Sequence, residues 1–110
     1  SNLQRLERLD LSRNNLIEVQ PNSFRNTRSL RSIDISENNL RDLPESIMGL
    51  SDLRELDVSF NRLSGLSPIV LSSLRQLEEL KASNNKVLGI PQGTFRDLPV
   101  LQYLDLSSNE

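Results

Sequence analysis

The fold class predicted by this sequence is a curved α/β-type solenoid, with a parallel β-sheet on its concave face and loops and short helical turns on its convex face. Three observations predict it. An apolar skeleton recurs five times in 110 residues, opening at Leu6, Leu30, Leu53, Leu77 and Leu101, which lie 24, 23, 24 and 24 residues apart. Each copy contains a short alternation of apolar and polar residues, the signature of a half-buried strand. The apolar fraction is only 35%, Leu dominates it and Trp is absent, which suits many thin layers better than one thick core. Residues 1–110 are therefore expected to form one segment of about four and a half repeats, internal to a longer solenoid and without caps.

Taken in order, the first copy is Leu6, Leu9, Leu11, Asn14 and Leu16, and its stretch Leu9-Asp10-Leu11-Ser12 buries one strand face and solvates the other. The second is Leu30, Ile33, Ile35, Asn38 and Leu40; the third is Leu53, Leu56, Val58, Asn61 and Leu63. The fourth, Leu77, Leu80, Ala82, Asn85 and Val87, carries a small residue at its second strand position, and the fifth stops after Leu101, Leu104, Leu106 and Asn109. Strands that recur in one direction must lie parallel, about 4.8 Å apart. The second half of each full copy holds Val19, Leu43, Leu66 or Ile90 beside Pro21, Pro44, Pro68 or Pro91, and a residue without a backbone N–H discourages a regular ladder there. Residues 68–74 have the best helical spacing of these connections, and Phe24, Ile47, Leu71 and Phe95 recur as an apolar plug behind the sheet. Thr27 stands where the other copies place Leu50, Leu74 and Leu98, so the layer is expected to be thinner at that point.

The column Asn14, Asn38, Asn61, Asn85 and Asn109 falls at the turn leaving each strand, where a side-chain amide can satisfy backbone groups that no ladder reaches. A structural role is expected for it. No Asn-x-Ser/Thr acceptor sequence for glycosylation occurs.

The phrase Leu101-x-x-Leu104-Asp105-Leu106-Ser107-x-Asn109, with its four counterparts, resembles the leucine-rich repeat superfamily over essentially the whole chain. Pro21-Asn22-Ser23-Phe24 and the stretch from Ile90 to Leu98 are similar to the 24-residue extracellular subclass found in Toll-like receptors, Slit and especially chaoptin-like adhesion proteins. The stretch from Leu43 to Leu50 is similar instead to the 23-residue type of intracellular scaffolds such as Scribble and the Ras-suppressor relatives. The resemblance implies a horseshoe whose concave or lateral surface binds another protein, in adhesion, guidance or immune signalling, with cysteine-rich caps in extracellular members.

Residues alternating with the buried strand positions are expected to face the concavity. The first such column is Arg8, Ser32, Glu55, Glu79 and Tyr103; the second is Asp10, Asp34, Asp57, Lys81 and Asp105; the third is Ser12, Ser36, Ser59, Ser83 and Ser107. Just beyond lie Arg13, Glu37, Phe60, Asn84 and Ser108. The expected partner-binding residues are Arg8, Asp10, Arg13, Asp34, Glu37, Glu55, Asp57, Phe60, Glu79, Lys81, Tyr103 and Asp105. Phe60 reads either as an aromatic anchor or as a lid over the neighbouring asparagine turn. The aspartate column has the residue type of a cation site, but it is solvated and interrupted by Lys81, so no metal is expected.

With 13 Lys and Arg against 15 Asp and Glu the formal charge is −2, and without a basic stripe nucleic acid is not an expected partner. There is no histidine and no cysteine, which removes the commonest acid–base and thiol chemistries as well as disulfides within these residues. No phosphate loop or nucleophile elbow appears. An enzyme and a cofactor are not expected. Ser1-Asn2-Leu3-Gln4-Arg5 lacks the basic and apolar regions of a leader, and no apolar run is long enough to span a bilayer.

The expected function is protein–protein interaction, within a cell-surface adhesion or receptor ectodomain or, alternatively, a cytoplasmic scaffold or regulator of signalling proteins. Its partner is another protein, a homophilic copy included, without direct membrane contact from this segment. An uncapped segment is expected to be marginally stable or self-associating when isolated. Ala82 marks the thinnest layer of the repeat, and Ala82→Leu is expected to raise the melting temperature; an unchanged or lowered melt would show that the layer is already full.

Overall fold

The computed structural model describes residues 5–109, so Ser1 to Gln4, most of the stretch read for a leader, lie outside it. Strands β1 (Arg8–Asp10), β2 (Ser32–Asp34), β3 (Glu55–Asp57), β4 (Glu79–Lys81) and β5 (Tyr103–Asp105) form one parallel sheet in chain order. The register repeats without a slip, aligning Leu9, Ile33, Leu56, Leu80 and Leu104 in one row. Each strand is only three residues long, because the chain turns away once a single apolar residue has been set into the core. No helix among the described residues is long and apolar enough to cross a membrane.

The connections differ from repeat to repeat, as the proline-bearing halves imply. The second is a short 3-10 helix at Glu45–Ile47. The third is the helix α1 (Pro68–Ser72): Pro68 occupies its first turn, where a missing N–H costs nothing, and the Ser67 hydroxyl accepts from the Val70 N–H. It is short because the Ser73 hydroxyl donates to the Val70 carbonyl at 2.6 Å, competing with the bond that would extend the helix. The first and last connections are turns without a helix.

One continuous apolar cluster runs behind the sheet. Phe24, Ile47 and Leu71 are buried in it and Phe95 packs against it. Thr27 is buried too, and its hydroxyl donates to the Phe24 carbonyl, so the polar atom is satisfied where leucine would otherwise sit. Ala82 is fully buried. In the outer layers Leu6, Leu9 and Leu11 at one end and Leu101 and Leu106 at the other are only partly buried, and Leu104 is exposed.

The repeats are stitched together at the asparagine turn. The Asn61 amide donates to the Val58 and Ser59 carbonyls of its own repeat and to the Ile35 carbonyl of the repeat before, while its oxygen accepts from the Leu40 N–H of that earlier repeat. Asn38 and Asn85 do the same one repeat earlier and one later, and Asn109 reaches back to Ala82 and Val87. Consecutive asparagines share an acceptor: the Val58 carbonyl, with two lone pairs, receives both Asn61 and Asn85. Asn14 is exposed and its side-chain amide donates only within its own repeat, to the Leu11 and Ser12 carbonyls, while its backbone N–H donates to the Asn38 side-chain oxygen.

Asn61→Ala removes four hydrogen bonds and orphans the buried Leu40 N–H, so it is expected to cost about 3 kcal/mol. Asn14→Ala, where water replaces the amide, is expected to cost under about 1 kcal/mol. Urea denaturation of the two variants checks the difference; equal losses would show that the ladder is not what joins the repeats.

Candidate functional site

The broad side of the sheet that does not face the core is covered by no helix or loop among the described residues, and it forms a shallow open concavity. The ladder aligns Arg8, Ser32, Glu55, Glu79 and Tyr103 in one row and Asp10, Asp34, Asp57, Lys81 and Asp105 in a second. Neighbouring side chains in a row are therefore one strand spacing apart, about 4.8 Å. Arg8, Glu55, Lys81 and Tyr103 are exposed and Asp34, Asp57 and Glu79 are half-buried.

The second row has a task inside the fold. One oxygen of each aspartate accepts the N–H of the residue two further on: Ser12 for Asp10, Ser36 for Asp34, Ser59 for Asp57 and Ser107 for Asp105, at 2.9 to 3.0 Å. This local bond turns the chain out of the strand. At Asp10 and Asp105 the serine hydroxyl donates to the same oxygen as well, at 2.6 and 2.7 Å, and holds both carboxyls below the ordinary aspartate range. Lys81 cannot accept, and the N–H of Ser83 donates to the Ser59 hydroxyl instead.

The expectation of a third exposed column needs correction. Ser36, Ser59 and Ser83 are buried, although they continue the alternation of the strand. Every strand ends two residues before its serine, at Lys81 as at the aspartates, and in the inner repeats the turned backbone carries the serine side chain inward.

The residues just beyond, Arg13, Glu37, Phe60, Asn84 and Ser108, all adopt left-handed backbone conformations, with φ between 55° and 60°. Their N–H groups follow one rule: those of Arg13, Glu37, Phe60 and Asn84 each donate to the serine carbonyl of the next repeat. They line one rim of the concave face. Arg13 and Glu37 pair with each other there at 2.8 Å, both well exposed, so each has a partner within the chain. Phe60 is 55% exposed, too open for a lid. Tyr103, at the edge strand, is 48% exposed.

Residue type gave no hint of two features. The conformation at Phe60 is set by its place in the repeat, not by its side chain. Ser32 is a small residue between Arg8 and Glu55 in the first row, and the gap this leaves on the face emerges only with the register. Among the described residues no group of three or more His, Cys, Asp or Glu is placed to share a metal ion.

The chain matches the family model described as leucine rich repeat over residues 4–63 and again over 51–110. It is 40% identical to podocan-like protein 1 of Mus musculus over 109 residues, 96% of this chain and 19% of that protein. It is 36% identical to Tsukushi of Gallus gallus over 103 residues, 92% of this chain and 28% of that one. The chain thus spans less than a third of these relatives. Among solved structures, the leucine-rich repeat domain of APL1B superposes with a TM-score of 0.90 at 28% identity, covering 99% of this chain and 32% of that one. The TLR13–ssRNA13 complex superposes with a TM-score of 0.86 at 28% identity, covering 96% and 15%.

A bulky residue in the left-handed region is strained by about 1 kcal/mol, which glycine escapes. Phe60→Gly is therefore expected to melt about 4 °C above Phe60→Ala, since both lose the ring and only the alanine keeps the strain. Equal melting temperatures in calorimetry would mean that the backbone at residue 60 is relaxed.

Proposed function

We propose, from the premise that this chain belongs to the leucine-rich repeat family, that its concave sheet and adjoining rim bind another protein. The observation that carries the proposal is an uncovered sheet face whose residues outside the aspartate turns are not needed to build the fold. The first row changes from Arg8 through Ser32 and two glutamates, Glu55 and Glu79, to Tyr103, and Lys81 breaks the aspartates of the second, while the core row beneath them stays apolar. Tyr103 and Phe60 supply exposed aromatic surface, the kind of group that anchors protein interfaces.

Binding is favoured over catalysis because the face is open and its carboxylates are solvated, without the water exclusion that raises a carboxyl's basicity for acid–base work. One similar solved structure is a complex with single-stranded RNA. Here the two sheet rows carry six carboxylates against Arg8 and Lys81, and phosphates are repelled by that balance.

We place the interaction at the cell surface, in an adhesion or receptor ectodomain, because three of the four repeat spacings and the phrases around Phe24 and Phe95 follow the 24-residue extracellular type. One repeat favours a cytoplasmic scaffold instead: the stretch with buried Leu43, Pro44, Ile47 and Leu50 closes the 23-residue spacing. A membrane-impermeant amine reagent on intact cells separates the two, since Lys81 and Lys86 are both exposed. Labelling without permeabilisation is expected; labelling only after it would favour the scaffold.

Binding itself is tested by placing a photo-crosslinking residue at position 60, 103 or 69 in the protein that contains this chain. Ile69 is 71% exposed on the convex side and serves as the control. Cross-links to another protein are expected from positions 60 and 103; cross-links from 69 alone would move the interface off the concave face.

A further inference from the structure

The concave face carries more negative charge than its fold requires, and that excess indicates what kind of protein it takes. The parallel register sets Asp10 against Asp34, Asp34 against Asp57, and Glu55 against Glu79. Like charges directly opposed on neighbouring strands destabilise a sheet. The aspartates have a structural reason to be there, since each turns its chain out of the strand. The Glu55 and Glu79 carboxylates have none: their backbone N–H groups bond to the Arg31 and Arg54 carbonyls, but neither carboxylate takes part in a hydrogen bond or an ion pair among the described residues, and the core row beneath them is formed by Leu56 and Leu80.

The cations of the face do not offset the charge. Arg13 is spent on Glu37 at the rim. Lys81 stands beside Asp57 and Asp105, and Arg8, on the edge strand β1 in register with Ser32, is a single cation against Asp10, Asp34, Glu55 and Glu79. The carboxylates outnumber the cations along the concavity, and the small Ser32 leaves a gap in its first row between Arg8 and Glu55. Asp34 lies two residues along the same strand and Asp57 beside it.

Resting on the reading that this face binds protein, we infer that its partner presents a cationic surface, with a lysine or arginine side chain seated over Ser32 between Asp34 and Glu55. Seating a cation there relieves the repulsion between the carboxylate rows in the same step that forms the contact. Phe60 on the rim and Tyr103 at the far strand then supply the apolar flanks, so that charge selects the partner and the aromatics hold it.

The test uses oligolysine as the probe, with oligoglutamate of equal length and heparin as controls, followed by fluorescence anisotropy at increasing salt. The double variant Glu55→Gln/Glu79→Gln is compared with Glu18→Gln/Asp42→Asn, which removes the same charge from exposed positions off the sheet. Ser32→Leu fills the gap while keeping every charge. Oligolysine is expected to bind, to weaken steeply with salt, and to lose about tenfold in affinity in the sheet pair but less than about twofold in the off-sheet pair. Ser32→Leu is expected to lose affinity as well. The sheet pair is expected to melt no lower than the parent chain, which shows that its lost binding is not lost folding.

Equal losses in the two pairs would reduce the effect to net charge and overturn the inference, as would heparin binding in preference to oligolysine. Cross-linking from positions 60 and 103 reports on protein binding independently of charge. Weak oligolysine binding with those cross-links retained overturns the cationic partner and leaves the binding reading standing; absence of the cross-links overturns both.

Discussion

One asparagine per repeat decides whether the other residues can form a solenoid. A chain that adds only three strand residues per repeat and then turns away leaves backbone N–H and C=O groups stranded in an apolar interior, each costing about 1 to 3 kcal/mol unless it is met. The asparagine amide is short, and it carries both donors and an acceptor. Asn61 alone meets groups in two repeats, and the carbonyl of Val58 is shared with Asn85. Stability is therefore built between neighbours and not within a unit, and a repeat is held as firmly as the two that flank it.

A second constraint follows from the turn. The aspartate that bends the chain and the left-handed residue after it are both backbone devices, yet both stand on the surface that a partner meets. The fold thus occupies part of its own candidate interface. What remains free to vary is the first row, one position of the second row where Lys81 stands, and the side chains of the left-handed rim. Phe60 belongs to that rim, so its exposure and its backbone strain have the same origin.

The parallel sheet, its register and the apolar plug were legible because a period near 24 residues leaves few ways to stack equivalent leucines. The two outward rows were legible for the same reason, as alternation along a strand carries Asp10 and Arg8 to one face. The serine row was misread because the rule of alternation holds only while the strand lasts, and each strand ends two residues before its serine. The pairing of Arg13 with Glu37 depends on side-chain conformation across a repeat boundary, which spacing does not encode. The gap above Ser32 is a relation among three strands, and no single copy contains it.

The unequal connections on the convex side set the shape of the concave one. Strand spacing is nearly constant at about 4.8 Å, so the arc bends wherever the opposite side is wider. A helix with its side chains is about 10 Å across. The third connection contains α1 and the second only a 3-10 turn, so the spacers behind the sheet are not alike. The convex elements thus work as wedges of different thickness. Residues such as Pro68 and Ser67, which set the start of α1, thereby bear on the curvature of a face to which they do not themselves belong.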